Sequence, residues 1–256
     1  MKNILFVASE AVPFIKTGGL ADVAGTLPKC IDRENYDVRV VLPKYVCMKQ
    51  AMKDKMTYVT HFYMDFNMQN QYVGIFEAEL DGVKFYFIDN EYYFNGFKIY
   101  SDNALFEIEK FAFFSKASLA ILPVIDFKPA LIHCHDWQAG LVPVYLKEKF
   151  QGKWNIPEVA RITGLPLEIF TYEKLEAYND ANLLKGGLVY ADVITTVSDT
   201  YAEEIKTAFY GEGLDGLMRA RSNELRGIVN GIDYVEFNPE EDKFIARPYN
   251  ASNFRK

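Results

Sequence analysis

Residues 4–23 read ILFVASEAVPFIKTGGLADV, an apolar run followed by a loop with one lysine and two adjacent glycines. The run predicts a buried strand over residues 4–8, and the pattern after the glycines predicts a helix. Gly18 and Gly19 would let a ligand approach the backbone, a first helical turn attracts anions, and Lys16 adds positive charge. Because the spacing matches neither GxGxxG nor GxxxxGK[ST], it predicts equally a phosphate-binding loop or a plain strand-to-helix turn.

Composition limits the class of protein. The chain has 256 residues, half of them apolar, which is enough for one large α/β domain or two small ones. The net charge of −7 argues against nucleic acid as a partner, because phosphate backbones require a basic face. No apolar run reaches the roughly 18 residues of a membrane helix, and the first strand is too short for a secretory signal. Three scattered cysteines fit a reducing compartment, so we expect a cytoplasmic protein without a membrane partner.

Strand and helix patterns alternate through the first 150 residues. The expected strands after the first are residues 36–42, 57–66, 72–80, 83–88 and 130–134, and the expected helices are residues 20–32, 103–122 and 137–150. Asp81-Gly82 is a two-residue hairpin signal. The three strand-like runs around it are therefore predicted to form an antiparallel insertion in a mostly parallel sheet.

The alternation fails after residue 150. A parallel sheet should have its next apolar strand there, but no run of apolar β-formers occurs before Val193. Regular structure is expected to resume with helices at residues 178–190, after Ser198 and at 214–222, and with strands at residues 193–197 and 227–229. The polar tail beyond Pro239 is interpreted as a linker.

The segment HCHDW, residues 133–137, lies at the carboxyl end of a predicted strand, the edge where open parallel sheets bind ligands. Alternation places His133 and His135 on one side of that strand. We expect no metal, because nothing nearby completes the four ligands of a closed zinc site. Asp136 is interpreted as a cap for the next helix, as a group facing the crevice, or as both. The glycines of LKGG, residues 184–187, are interpreted as a close helix contact.

Five segments together resemble bacterial glycogen synthases and plant starch synthases. They are KTGGLADV (16–23), HDW (135–137), LKGG (184–187), TTVS (195–198) and NGID (230–233), and they occur in the same order in that family. Each is weak alone, but the combination is specific and extends from residue 3 to about residue 240. The resemblance implies an ADP-glucose-dependent retaining glucosyltransferase that extends the non-reducing end of an α-1,4-glucan and needs no cofactor.

The implied fold is a Rossmann-like, doubly wound, mostly parallel α/β sheet with an antiparallel hairpin insertion, the N-terminal half of a two-domain GT-B glycosyltransferase. Residues 1–240 would form this acceptor-side domain and residues 241–256 would begin the interdomain linker, with the C-terminal nucleotide-binding domain absent.

The resemblance also implies site residues in the crevice. Lys16 would contact the donor diphosphate, and Gly18 and Gly19 would let the loop close over phosphates or sugar. Asp22 would hold the start of the helix or reach the ligand. Tyr100 and Asn230 would line the cleft. Asp136 would place a carboxylate near the transferred glucose. Lys16 and Asp136 are the candidates for direct roles in catalysis.

One departure from the family concerns its central strand, which ends in a Thr-Ile-His-Asn motif whose histidine lies in the catalytic cleft. This motif is missing where the alternation fails, so an internal deletion is predicted near residues 150–154. Loss of a central strand should leave a slot in the sheet or force its neighbours together, and either outcome costs stability because an uncovered strand edge exposes unpaired backbone groups. A third alternative is that another segment moves in, and residues 155–165 are the nearest.

We therefore expect the isolated chain to be inactive, because the cleft histidine and half of the cleft are absent. The measurement is incorporation of glucose from labelled ADP-glucose into glycogen, and robust turnover would contradict the expectation.

Two other hypotheses remain at this level. One is a non-catalytic glucan-binding module that uses the aromatic residues 92–100, tested by retention on amylose resin. The other is a stand-alone nucleotide- or phosphate-binding α/β protein, which tight ADP binding in calorimetry would favour.

Overall fold

The computed structural model of the protein describes residues 1–148, 163–235 and 237–253. The strands are β1 (Lys2–Val7), β2 (Tyr36–Pro43), β3 (Thr57–Phe66), β4 (Gln69–Leu80), β5 (Val83–Asp89), β6 (Leu131–Cys134), β7 (Glu176–Ala177), β8 (Asp180–Ala181), β9 (Ile194–Thr196) and β10 (Leu225–Gly227). The α-helices are α1 (Gly19–Cys30), α2 (Gln50–Lys53), α3 (Glu91–Phe94), α4 (Ala104–Ala120), α5 (Leu141–Lys147), α6 (Leu183–Tyr190), α7 (Asp199–Glu204) and α8 (Asp215–Ala220).

Six strands form the main sheet in the order β3-β4-β5-β2-β1-β6. Strands β5, β2, β1 and β6 are parallel neighbours, whereas β3 and β4 are antiparallel at one edge. The predicted mostly parallel α/β sheet with an antiparallel hairpin is confirmed. One detail of the prediction is wrong, since β5 belongs to the hairpin and also to the parallel sheet, where it pairs with β2.

Local sequence explains these elements. Leu5, Val40 and Phe85, from three adjacent strands, are fully buried, as expected for strands covered on both faces. Asp81 and Gly82 have φ values of 52° and 72°, so both central residues of the hairpin turn adopt the conformation that the Asp-Gly signal predicts.

Several element boundaries beyond β6 differ from the prediction. The helix expected at residues 137–150 is a 3₁₀ turn, Trp137–Ala139, followed by α5. The helix expected from residue 178 begins only at α6, because Tyr178 and Asn179 have positive φ values of 57° and 65° and form the turn of the β7–β8 hairpin. The last strand is β10, slightly earlier than the predicted residues 227–229.

Close packing between α5 and α6 depends on glycine. A Cβ atom on Gly187 would lie 2.9 Å from the Cα atom of Gly140, and one on Gly140 would lie 2.4 Å from the carbonyl oxygen of Leu183. A Cβ on Gly186 would lie 2.8 Å from the side chain of Leu175. The interpretation of the LKGG glycines as a close helix contact is confirmed.

A groove of about 1110 Å³ lies between β6 and β9, with α5 and α6 lining it. Strand β9 pairs in parallel with β10 in a separate two-stranded sheet. Most of residues 155–165, the segment nearest to a missing central strand, lies outside the described residues, so the outcome expected for the sheet stays a prediction. The predicted deletion at residues 150–154 lies outside the described residues, and both it and the boundary at residue 240 stay predictions.

Candidate functional site

The chain leaves β1 at the carboxyl edge of the parallel sheet through two buried polar residues, Ser9 and Glu10. The carboxylate of Glu10 accepts hydrogen bonds from the backbone N–H of Thr17 and from its Oγ1 at 2.8 and 2.9 Å. Glu10 therefore ties the beginning of the loop to its end. This fixes the segment that carries Lys16.

The loop ends at the N-terminus of α1, where Gly18 is the cap residue and no side chain in the described part of the chain caps the helix. Gly18 has an extended backbone with φ −148°, and neither Gly18 nor Gly19 has positive φ. A Cβ atom on either glycine would meet nothing within 4 Å. Since neither conformation nor packing against the described residues requires glycine here, the pair favours close approach of a ligand to this backbone.

Two of the predicted site residues pair beside these glycines. The Nζ atom of Lys16 lies 2.6 Å from Oδ1 of Asp22, which is in the first turn of α1. About half of the Lys16 side chain remains exposed. The ion pair therefore holds an ammonium group at the open surface of the helix N-terminus.

Tyr100 joins the same cluster. Its hydroxyl lies 3.0 Å from Oγ of Ser9 and donates to Oε1 of Glu10 at 3.3 Å. Burial raises the pKa of Tyr100 to about 12, the Ser9 hydrogen bond opposes this shift, and the negative charges of Glu10 and Asp136 reinforce it. The charge of Asp136, at the end of β6, therefore acts on the Tyr100 hydroxyl that contacts Ser9 and Glu10.

A buried ion pair supports the segment that carries Tyr100. Lys110 and Glu107 of α4 are in contact, and Nζ of Lys110 also donates to the carbonyl of Ile99 at 2.6 Å. Glu107 accepts a hydrogen bond from the backbone N–H of Ser101 at 2.9 Å. The two residues that flank Tyr100 are thus both bonded to this pair.

Asp136 has a strained backbone, with φ 61° and ψ −176°, a region that is occupied almost only by glycine. Its Oδ1 accepts a hydrogen bond from the N–H of Trp137 at 2.6 Å, so the capping interpretation is confirmed. Its side chain is exposed at the carboxyl end of β6. Strain of this kind clusters at functional sites and is consistent with a role for Asp136.

His133 and His135 lie on the same side of β6, with ring centroids 4.3 Å apart, as strand alternation predicts. Burial, reinforced by His133, lowers the pKa of His135 to about 3. The Nε2 atom of His135 has no hydrogen-bond partner among the described residues. Within the same ranges, no group of three or more His, Cys, Asp or Glu side chains could hold a metal ion.

Asn230 is exposed in the loop that follows β10. In the described part of the chain no hydrogen bond or ion pair joins it to Lys16, Asp22, Tyr100 or Asp136.

The aromatic segment at residues 92–100 is mixed in its exposure. Tyr93 and Phe94 belong to the core, whereas Tyr92 and Phe97 are exposed. Packing therefore accounts for part of this segment and leaves two rings at the surface.

Sequence reasoning did not select Ser9 and Glu10 as site residues. The available signal was two polar residues directly after a buried strand, at the edge where ligands bind in parallel sheets. None of the helices described has both the length and the apolar character that a membrane crossing requires.

Comparison with known proteins identifies the family of the chain. Residues 3–220 match the family described as starch synthase catalytic domain. The chain is 62% identical to the glycogen synthase of Lachnospira eligens and 58% identical to that of Lachnoclostridium phytofermentans, covering 100% of this chain and 58% of each relative. The chain thus spans little more than half the length of the relatives it matches.

A solved structure gives the same result for the fold. The catalytic domain of starch synthase IV from Arabidopsis thaliana, bound to ADP and acarbose, superimposes with a TM-score of 0.85 at 28% identity. The match covers 98% of this chain and 56% of that one. By sequence and by fold, the chain belongs to the starch synthase catalytic domain family and corresponds to the N-terminal part of a glycogen synthase.

Proposed function

We propose that this chain forms the acceptor-side wall of a retaining glucosyltransferase that moves glucose from ADP-glucose to the non-reducing end of an α-1,4-glucan. The observation that carries the proposal is the Lys16–Asp22 pair at the open, glycine-lined N-terminus of α1. The relative from Arabidopsis thaliana, whose structure contains ADP and acarbose, supports a nucleoside diphosphate and a glucan-like sugar as the ligand classes.

At the donor side, Lys16 and the first N–H groups of α1 would bind the diphosphate. The leaving group gains negative charge as the glycosidic bond to it breaks, and fixed donors and cations stabilise that charge. The uncapped helix N-terminus adds N–H groups and the positive end of the helix dipole. Asp22 would orient the Lys16 ammonium toward the ligand.

At the sugar side, Asp136 would lie near the transferred glucose. Its hydrogen bond to Trp137 N–H holds one carboxylate oxygen, which leaves the other to accept a hydrogen bond from a sugar hydroxyl. Tyr100 and Glu10 would hold the loop in place through their mutual hydrogen bond. We do not assign Asp136 as a covalent nucleophile; the departing diphosphate itself would guide the acceptor to the same face of the sugar.

The replacement of Lys16 by methionine tests the donor-side role. A charge-assisted hydrogen bond contributes about 1.5–3 kcal/mol, so we expect binding of ADP-glucose to weaken by about 10- to 150-fold, measured by isothermal calorimetry. Stability should change by less than about 1 kcal/mol, because Lys16–Asp22 is a half-exposed ion pair.

Lys29→Met is the matched control. Lys29 lies in the last turn of the same helix and pairs with Asp81 at 2.9 Å, at the opposite end from the glycines. This variant should bind ADP-glucose as the unmodified chain does. An equal loss of affinity in both variants would indicate a general charge effect and contradict the assignment of Lys16.

A further inference from the structure

One face of the β3–β4 hairpin carries a cluster of aromatic rings at the surface. Tyr58 and Tyr63 of β3 are 48% and 59% exposed, and His61 between them is also exposed. Tyr72 and Phe76 of β4 are partly buried beside them. These five side chains are called the aromatic platform. Apolar surface gathered in one place marks binding sites, whereas single exposed rings need no explanation, so the platform is a candidate site.

The rings of the platform form one connected series. The ring centroids of Phe76 and Tyr58 lie 5.3 Å apart, and those of Tyr58 and His61 lie 6.4 Å apart. His61 is stacked on Tyr72 at 5.4 Å, and Tyr72 lies 5.9 Å from Tyr63. The hydroxyl of Tyr58 is 2.6 Å from Nδ1 of His61, a hydrogen bond that holds both rings. Because the rings are already held by one another, a ligand would immobilise little further side-chain freedom.

The strand register places the platform on the face of the hairpin away from α4. His61 is opposite Gly74 and Tyr63 is opposite Tyr72, so these positions share one face. A Cβ atom on Gly74 would lie 2.8 Å from the hydroxyl of Tyr72, so the glycine leaves the space that the Tyr72 side chain occupies. The other face of β3 is the core side, where the ring of Phe66 packs on α4. The platform is therefore a surface of the sheet and not part of the core.

The chemistry of the platform favours an uncharged ligand. Its five side chains carry no carboxylate, ammonium or guanidinium group, and β3 has no Lys, Arg, Asp or Glu from Thr57 to Met64. Beside Phe76, Lys44 and Asp89 neutralise each other at 3.0 Å. A single-stranded nucleic acid also stacks on aromatic rings, but it requires a basic groove. A chain of sugar rings fits better, because its apolar faces can stack on the rings and its hydroxyls can bond to tyrosine hydroxyls.

The platform lies on the same face of the sheet as the loop that carries Lys16. Phe76 is opposite Phe87 of β5, and the ring of Phe87 packs on Phe14 of that loop with centroids 4.8 Å apart. Residues directly opposite each other in neighbouring strands project to the same face. A ligand on the platform would therefore be held on the side of the sheet where the loop lies.

We propose that the aromatic platform is a second glucan-binding site, which shares no residue with the crevice of Lys16 and Asp136 or with the aromatic segment at residues 92–100. The choice of an α-1,4-glucan as the ligand rests on the proposed function. Stacking of sugar rings on Tyr58, Tyr63 and Tyr72 supplies the main contact. A long glucan held there stays close to the crevice, which raises the effective concentration of its chain ends.

The test is electrophoresis of the purified chain in native gels with and without glycogen, in which binding slows migration. We expect the unmodified chain to be retarded by glycogen. Tyr63→Ser should raise the dissociation constant by about 2- to 10-fold, because one stacking contact is lost. The double variant Tyr58→Ser, Tyr63→Ser should raise it by at least about tenfold. Tyr63→Phe keeps the ring and should bind as the unmodified chain does.

Two variants outside the platform are the controls. Phe209 is 81% exposed and its ring lies 4.8 Å from that of Tyr210, so Phe209→Ser removes an exposed ring from another aromatic pair. It should be retarded as the unmodified chain is. Asp136→Asn changes the crevice, and asparagine tolerates the positive φ at this position. This variant should also keep the retardation by glycogen. The unfolding midpoint of each variant, measured by circular dichroism, verifies that it is folded.

Three results would overturn the proposal: no retardation of the unmodified chain, undiminished binding by the folded double variant, and an equal loss in Phe209→Ser. A loss in Asp136→Asn alone would also overturn it, because the glucan would then bind in the crevice, as the proposed function requires. The proposed function itself fails separately, if ADP-glucose does not bind in calorimetry. The platform variants should leave that binding unchanged.

Discussion

Replacement of Lys110 by methionine is expected to lower the free energy of unfolding by about 3–5 kcal/mol, because it leaves the carboxylate of Glu107 buried without its cation. The side chains of Lys110 and Glu107 are only 3% and 8% exposed. Burial lowers the pKa of Lys110, and the contact with Glu107 opposes that shift. Methionine keeps the length of the stem and removes only the charge. Urea denaturation monitored by circular dichroism measures the change.

A surface pair with the same spacing is the matched control. Lys206 pairs with Glu203 three residues earlier, at 2.6 Å, but Glu203 is 75% exposed. Lys206→Met should therefore cost less than about 1 kcal/mol. Adding Glu107→Gln to Lys110→Met should recover part of the lost stability, because the amide oxygen still accepts from Ser101 N–H without a buried charge. Equal losses for Lys110→Met and Lys206→Met would contradict the role of burial.

The Lys110 pair also links stability to the candidate site. Ile99 and Ser101 are both bonded to it, and Tyr100 lies between them. In Lys110→Met the hydroxyl of Tyr100 should lose its fixed position relative to Ser9 and Glu10. The Lys110–Glu107 pair therefore positions Tyr100, although neither of its residues belongs to the loop that carries Lys16.

The predictable part of the fold is the part that short-range patterns encode. The apolar run before Ser9 correctly predicted β1, because a strand buried on both faces has a continuous apolar sequence. Asp81-Gly82 correctly predicted the hairpin turn, because both residues tolerate positive φ. The parallel pairing of β5 with β2 was missed. The apolar pattern indicates that a strand is buried but does not show which strand it pairs with. The hairpin with β4 favoured an antiparallel assignment for β5, which also pairs in parallel with β2.

The candidate site also contains contacts that the sequence predicts and contacts that it does not. The cap at Asp136 joins neighbouring residues, and the sequence indicated it. The ion pair of Lys16 with Asp22 also joins residues close in sequence, but it was not predicted. The contact of Tyr100 with Ser9 joins residues 91 positions apart, so only the fold brings them together. Glu10 was missed because a single acidic residue after a strand has no distinctive pattern, although its burial makes it the anchor of the loop.

Acidification is expected to destabilise the protein below about pH 6.5, and His135 should account for about 2 kcal/mol of the loss at pH 5 and about 3 kcal/mol at pH 4. His135 is 9% exposed and packs on Phe6, with His133 beside it. Burial, then the charge of His133, lowers its folded-state pKa to about 3. Between pH 3 and 6.5 the unfolded chain therefore binds more protons, and stability falls as pH falls.

His135→Phe isolates this contribution, because phenylalanine keeps an aromatic ring against Phe6 and cannot take up a proton. The difference in unfolding free energy between this variant and the unmodified chain, measured by urea denaturation, should shift in favour of the variant by about 2 kcal/mol from pH 7.5 to pH 5. Acid sensitivity that remains in the variant would come from other groups, including His133, whose pKa is also lowered by burial. Parallel stability profiles for the two proteins would contradict a neutral, buried imidazole at position 135. The neutral imidazole of His135 lies directly before Asp136, whose strained backbone begins the turn of the candidate site.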